Sequence, residues 1–313
     1  MATRPASHRW AVRECICGLF PVNDPLEPPL IGYSVPSQTS TVTEIELHRI
    51  RSPTAAGLGN HSVTTIPMTD EPEHLDMKIR GDRECTECGT RWSYFETGSI
   101  GCPACGSLQS VGTDERAIHT DQAATFDLTP VRNDIDTTAD DELAARARDV
   151  AREYVRSRGF VRGGELLELD ETYVAARELT HAADLLVRTT QPSEDESLYF
   201  LALLRDADLG ERPQAAEVPA SFREARGIAT ANAVRDYRRD VRTWLGAGTA
   251  VPEGARDCLE HLSDHETRFR LLEGDVEPTV ADQLLEATRH VANGLRGDHV
   301  AIELAQDELD SLE

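Results

Sequence analysis

Cys85-Thr86-Glu87-Cys88-Gly89 and Cys102-Pro103-Ala104-Cys105-Gly106, with thirteen residues between Cys88 and Cys102, decide how this chain is read. Two Cys-x-x-Cys-Gly knuckles at this distance form a metal-ligand pattern. Each knuckle turns tightly enough for two thiolates to face one ion, and the glycine after the second cysteine permits the positive φ such a turn requires. The spacing therefore predicts that Cys85, Cys88, Cys102 and Cys105 bind one Zn²⁺. Four thiolates fill a tetrahedron and leave no open position, so the expected role is structural, with binding free energy becoming folding free energy.

Between the knuckles, Arg91-Trp92-Ser93-Tyr94-Phe95 reads as a β-strand, and Gly98 and Gly101 suit the turn back. Residues 78–116 are thus expected as a small three-stranded zinc ribbon. Trp92, or Tyr94 and Phe95, should pack near the metal, because so thin a sheet has little core of its own.

C-terminal to the ribbon, residues 117–138 read as a linker, with Pro130 among several Asp and Thr. From Thr138 the pattern turns helical: Leu143, Ala147, Val150 and Tyr154 recur at helical spacing behind a Thr-Ala-Asp-Asp start. Further helices are expected over Glu171 to Arg188, Glu196 to Leu209 and Pro219 to Leu245. A fifth should follow Pro252, a sixth carries Val280, Leu284, Ala287, Val291 and Leu295, and a seventh opens at Asp298. One apolar stripe per helix and short connections argue for an antiparallel α-helical bundle over 139–313. The expected fold class is therefore mainly α, a three-stranded ribbon followed by a bundle.

N-terminal to the ribbon, residues 1–76 carry scattered prolines and no persistent apolar period. They read as a disordered tail, or as upstream sequence preceding a start at Met68 or Met77.

The chain of 313 residues has a formal net charge of −24, and Lys78 is its one lysine. An acidic, arginine-for-lysine surface stays soluble through self-repulsion, which concentrated salt screens within a few ångströms. The composition resembles that of haloarchaeal cytoplasmic proteins. No stretch approaches the ~18 apolar residues of a membrane helix, and no apolar signal-peptide core opens the chain, so a reducing cytoplasm is expected.

The ribbon segment resembles the zinc ribbon of archaeal and eukaryotic transcription factor B, and the arrangement of ribbon plus acidic helices is similar to haloarchaeal zinc-ribbon proteins. In the transcription factor B family the ribbon docks on RNA polymerase. The resemblance implies a protein-docking module with a protein partner, in transcription or its regulation. The cyclin-like repeats that follow the ribbon in that family are not recognisable here.

The same knuckles resemble rubredoxin and rubrerythrin iron sites, which makes an iron redox protein the alternative reading. A di-iron bundle needs two Glu-x-x-His motifs and two further glutamates. The helical region offers one, Glu178-Leu-Thr-His181, together with the pairs Glu286/His290 and His261/His265. No phosphate-binding loop, metalloprotease pair or nucleophile elbow occurs, so no catalytic or cofactor-binding residue is assigned and a non-enzymatic protein is expected. Cys258 reads as a core residue. Nucleic acid could be met only through the ribbon, where Lys78, Arg80, Arg83, Arg91 and Arg116 face six acids. Arg235, Arg238, Arg239 and Arg242 line one side of the fourth helix and are expected to pair with Asp236 and Asp240 and to be solvated.

Overall fold

Alternation and turn chemistry set the β part of the chain. The computed structural model of the protein describes residues 78–312. Strands β1 (Lys78–Arg80), β2 (Asp82–Cys85), β3 (Arg91–Ser93), β4 (Ser110–Gly112) and β5 (Arg116–Ile118) lie around the knuckles. Three of them form an antiparallel sheet in the order β3-β2-β4, with Arg83 opposite Trp92 on one side and Gly112 on the other. β1 pairs antiparallel with β5, so the chain entering the ribbon is zipped to the chain leaving it. The expected tail, residues 1–76, lies outside the described residues.

The expected strand from Arg91 to Phe95 stops early. After Ser93 the chain turns into a single helical turn, α1 (Tyr94–Thr97), which Gly98 closes at φ 62°. That turn redirects Phe95 away from the cysteines. Its ring lies over Gly81, where an added Cβ would sit 2.0 Å from a ring carbon, and against Gly163, where the distance would be 2.9 Å. His119 packs against it, the rings tilted by 40° with centroids 4.5 Å apart.

Residues 117–138, expected as a linker, are instead built into the core: Ile118, Phe126, Leu128 and Val131 are all buried with the helices. The reason is polar as much as apolar. Asp121, 1% exposed, accepts from Arg158, from Arg162 and from the Gly159 amide. Thr120 donates to Asp240 at 2.7 Å, and the Phe160 amide donates to the same carboxylate at 2.8 Å. Short helix α2 (Thr129–Arg132) is fixed by an Arg132–Asp208 ion pair at 2.6 Å.

The helical part then runs α3 (Asp140–Ser157), a two-stranded hairpin of β6 (Val161–Arg162) and β7 (Glu165–Leu166), α4 (Glu171–Arg188), α5 (Glu194–Asp206), α6 (Arg223–Leu245), α7 (Ala255–Leu271), α8 (Pro278–Leu295) and α9 (His299–Ser311). Asp170 caps α4 by accepting from the Tyr173 amide, and Ser193 with Glu196 forms a capping box on α5. Pro278 opens α8. α6 is the central strut, since its buried face meets α4, α7 and α8. At its end the Trp244 indole donates to the Gly164 carbonyl at 2.8 Å, tying the strut to the hairpin that also receives Phe95. No helix among the described residues is long and apolar enough to cross a membrane.

Candidate metal centre

The two knuckles are built by the same local hydrogen bonds. In the first, the Cys85 amide donates to the Thr90 carbonyl at 2.9 Å and the Gly89 amide to the Cys85 carbonyl at 3.0 Å. In the second, the Cys102 amide donates to the Ser107 carbonyl and the Gly106 amide to the Cys102 carbonyl, both at 2.9 Å. Gly89 and Gly106 have φ of +72° and +74°, and a Cβ on either would meet nothing within 4 Å. Glycine is therefore needed there for the left-handed backbone and not for space. Sequence reasoning stopped at the glycines, yet the repeat extends one residue further: Thr90 and Ser107 supply matching carbonyls, and the Thr90 hydroxyl lies 3.2 Å from Cys88 Sγ.

Strand β2 delivers Cys85 from one side, and the loop returning from α1 delivers Cys102. The four Sγ atoms lie within 4.8 Å of one another. Across the knuckles, Cys85 and Cys105 are 3.6 Å apart and Cys88 and Cys102 3.5 Å. A tetrahedral ion with metal–sulfur bonds near 2.3 Å calls for S···S edges of about 3.8 Å, so the donor set fits a metal ion. Cys85 and Cys102 are buried, whereas Cys88 and Cys105 are exposed, one of each per knuckle. Of the aromatic residues expected near the metal, Trp92 is there, packed with Cys85 and Cys102 and donating its indole N–H to the Ser99 carbonyl at 2.9 Å. Tyr94 and Phe95 are with His119 instead.

Four thiols this close cannot all ionise without a cation among them. The Cys88 thiol is drawn down to about 6, first by the Thr90 hydroxyl and then by its amide. Cys105 goes the other way, to about 12: the Ser107 amide favours its thiolate, but the sulfurs of Cys88, Cys102 and Cys85 outweigh it. A divalent ion removes this conflict by stabilising every thiolate at once.

The residues of the di-iron alternative do not assemble. Glu178, 1% exposed, is held by Arg226 at 3.1 Å, by Arg212 at 2.8 Å and by the Tyr199 hydroxyl. His181 lies 3.1 Å from the Asn232 amide nitrogen, His290 is 2.9 Å from Glu308, and Glu286 pairs with Arg289 at 2.5 Å. His261 and His265 lie on α7. Among the described residues the cysteines are the one group of three or more His, Cys, Asp or Glu able to hold a metal. Cys258 is buried between α7 and α9, with its sulfur 4.0 Å from the Ile302 carbonyl.

A family model described as a family of unknown function, DUF7117, matches residues 77–309. The chain belongs to this family. The match opens at the edge of β1 and closes within α9, so the family unit takes in the four-cysteine centre and the helices together. No curated protein and no solved structure matches the chain.

Proposed function

We propose that the four-cysteine group of this DUF7117 member holds one structural Zn²⁺, and that the ribbon it folds is a non-catalytic protein-docking module. The observation that carries the reading is the convergence of four sulfurs within 4.8 Å of one another in a segment whose buried apolar cluster is only Cys85, Trp92 and Cys102. An ion with four thiolate ligands has no free position for substrate, which leaves it a folding role. Ile100, Leu108 and Val111 are each about half exposed or more on the ribbon, at 49%, 71% and 52%, and give it apolar anchors of the kind protein interfaces use. The resemblance to transcription factor B suggests a partner in transcription or its regulation. The acidic, lysine-poor composition suggests a salt-adapted cytoplasmic protein.

Elemental analysis of the purified full chain tests the metal: one zinc per chain is expected, and a red protein absorbing in the visible would make it an iron site. For docking, a partner recovered in high salt with the wild-type chain should be lost with Leu108→Asp at unchanged zinc content. Recovery equal in both would remove the ribbon from the interface.

A further inference from the structure

The arginine run of α6 keeps part of its expected pairing with Asp236 and Asp240, through Arg235 and Arg239, and departs from it at Arg238. Arg238 leaves the run altogether: it is buried, donates to Glu266 at 2.7 Å and bonds the Leu259 carbonyl. Arg235, Arg239 and Arg242 remain exposed at positions i, i+4 and i+7, a row about 10 Å long on one face. Asp236 and Asp240 are 4% and 2% exposed and turn inward. Asp236 accepts from Tyr173 and Arg177 of α4, and Asp240 from Thr120 and Phe160. Both carboxylates are thus engaged from below. Arg239 also reaches them, at 3.4 and 3.2 Å, Arg235 stands 3.8 Å from Asp236, and Arg242 makes no ion pair among the described residues.

The neighbouring helices extend the row into a face. Asn232 of α6 meets His181 of α4, and Asp184 one turn further along α4 is flanked by Arg148 at 3.4 Å and Arg152 at 2.5 Å from α3. Six arginines, 148, 152, 177, 235, 239 and 242, therefore share a three-helix surface with Asp149, Asp184, Asp236 and Asp240, three of which are mostly buried. On a chain of formal net charge −24 this is a local excess of positive charge. Screening confines the rest of the acidic surface to a range of about 8 Å at physiological ionic strength, so an approaching anion is governed by the groups it touches.

We propose that this α3–α4–α6 face binds the phosphodiester backbone of a nucleic acid. The guanidinium fork matches phosphate oxygens, and a row of them suits a regularly spaced polyanion. The face favours that partner over a protein, because α3 and α6 expose no large apolar side chain and α4 exposes only Val187, in its last turn, at 37%, in contrast to Ile100, Leu108 and Val111 of the ribbon. The inference stands independently of the docking reading of the ribbon.

The test uses the full metal-loaded chain with fluorescein-labelled 20-nucleotide single-stranded RNA and a 20-base-pair DNA duplex, titrated by anisotropy from 50 to 500 mM KCl. Binding to at least one is expected at 50 mM, and which one separates a single-stranded from a duplex target. Arg235→Gln/Arg239→Gln/Arg242→Gln should lose at least tenfold in affinity and flatten the slope of log K against log salt by about 2–3, at 0.7–0.9 per phosphate contact. Arg223→Gln, at the start of the same helix, should change neither. Should the triple variant fail to fold, Arg242→Gln alone is read, with about a two- to threefold loss. No binding at 50 mM KCl, an unchanged slope in the variants, or tighter binding to a poly-glutamate of equal length than to either nucleic acid overturns the proposal.

Discussion

The ribbon and the helical bundle stand side by side in one family unit and are held by opposite means. The bundle buries a continuous apolar core from Ile118 to Leu312, lined by whole helix faces of alanine, leucine and aromatic residues. The ribbon's own cluster is three residues, of which two are cysteines. Burying one Trp contributes a few kcal/mol at most, while ordering each residue of the backbone costs about 1–2 kcal/mol. A structural zinc ion, at about 10–16 kcal/mol in small modules, is of the size required. The difference teaches that one region carries a core of its own, whereas the other has four converging cysteines in place of one and, on the proposed zinc reading, needs the ion to fold.

The largest effect should come from removing one ligand. Cys102→Ser replaces a buried thiolate with a poor ligand for a soft site, and the zinc content should fall to near zero. Hydrogen exchange over residues 78–116 should become fast, while the far-UV circular dichroism of the helices is largely kept. A cooperative loss of both would show that Phe95, seated between Gly81 and Gly163, makes the two regions one folding unit.

The converse experiment attacks the bundle. Glu178→Leu leaves the buried Arg226 with Asp282 and the Pro213 carbonyl, and Arg212 with Asp282 and a more distant Glu171 at 3.6 Å, and Arg226 already has an Nε with no partner. Breaking a buried pair this way costs about 3–5 kcal/mol, and a domain of this size should lose about 6–20 °C in melting temperature. Zinc content should be unchanged. If the ion is lost as well, the separation of the two regions fails from the other side.

A smaller effect should appear with acid, and again in the bundle alone. Burial pushes the His181 imidazole down to about 4, with the Arg177 charge beside it acting in the same direction. Its folded pKa lies below the unfolded value near 6.5, so between these values the unfolded chain binds a proton that the folded chain refuses. Stability therefore falls as pH drops from about 6.5 to 4, by up to about 3 kcal/mol. His181→Gln should flatten that part of the melting-temperature profile, and an equal slope in wild type and variant would count against the half-buried, neutral imidazole. Zinc release at low pH is a separate event, set by thiolate protonation, and should be the same in both proteins.

Much of this was legible in the sequence because it is local. The knuckles, the helix from Glu171 to Arg188, and the Pro278 and Asp298 starts all rest on signals within a few residues of where they act. What was not legible depends on partners far along the chain. Asp121 looks like a loop residue until Arg158 and Arg162 are brought to it, and Phe95 continues a strand until Gly81, Gly163 and His119 form a slot for it. Glu178 and His181 stand three residues apart on α4. Their partners divide them: Glu178 turns to Arg212 and Arg226, His181 to Asn232. The arginine run likewise split once Glu266 of α7 was in place to bury Arg238.

The smallest effect sharpens the comparison most, because it applies one perturbation to both regions. Gly89 in the first knuckle and Gly248 after α6 have φ of +72° and +97°, and a methyl group on either meets nothing within 4 Å. Alanine at each site therefore bears the left-handed backbone penalty alone, about 1–2 kcal/mol. In the bundle that penalty should register as a fall of a few degrees in melting temperature with no change in zinc affinity. On the proposed zinc reading, binding and folding of the ribbon are one equilibrium, so there the same penalty is drawn from the metal. Gly89→Ala should weaken zinc about 5- to 30-fold in a chelator competition, with the helical melting transition unmoved. Equal zinc affinity in the two variants would mean that the knuckle is already folded before the ion arrives, and that the ribbon has a source of stability other than its metal.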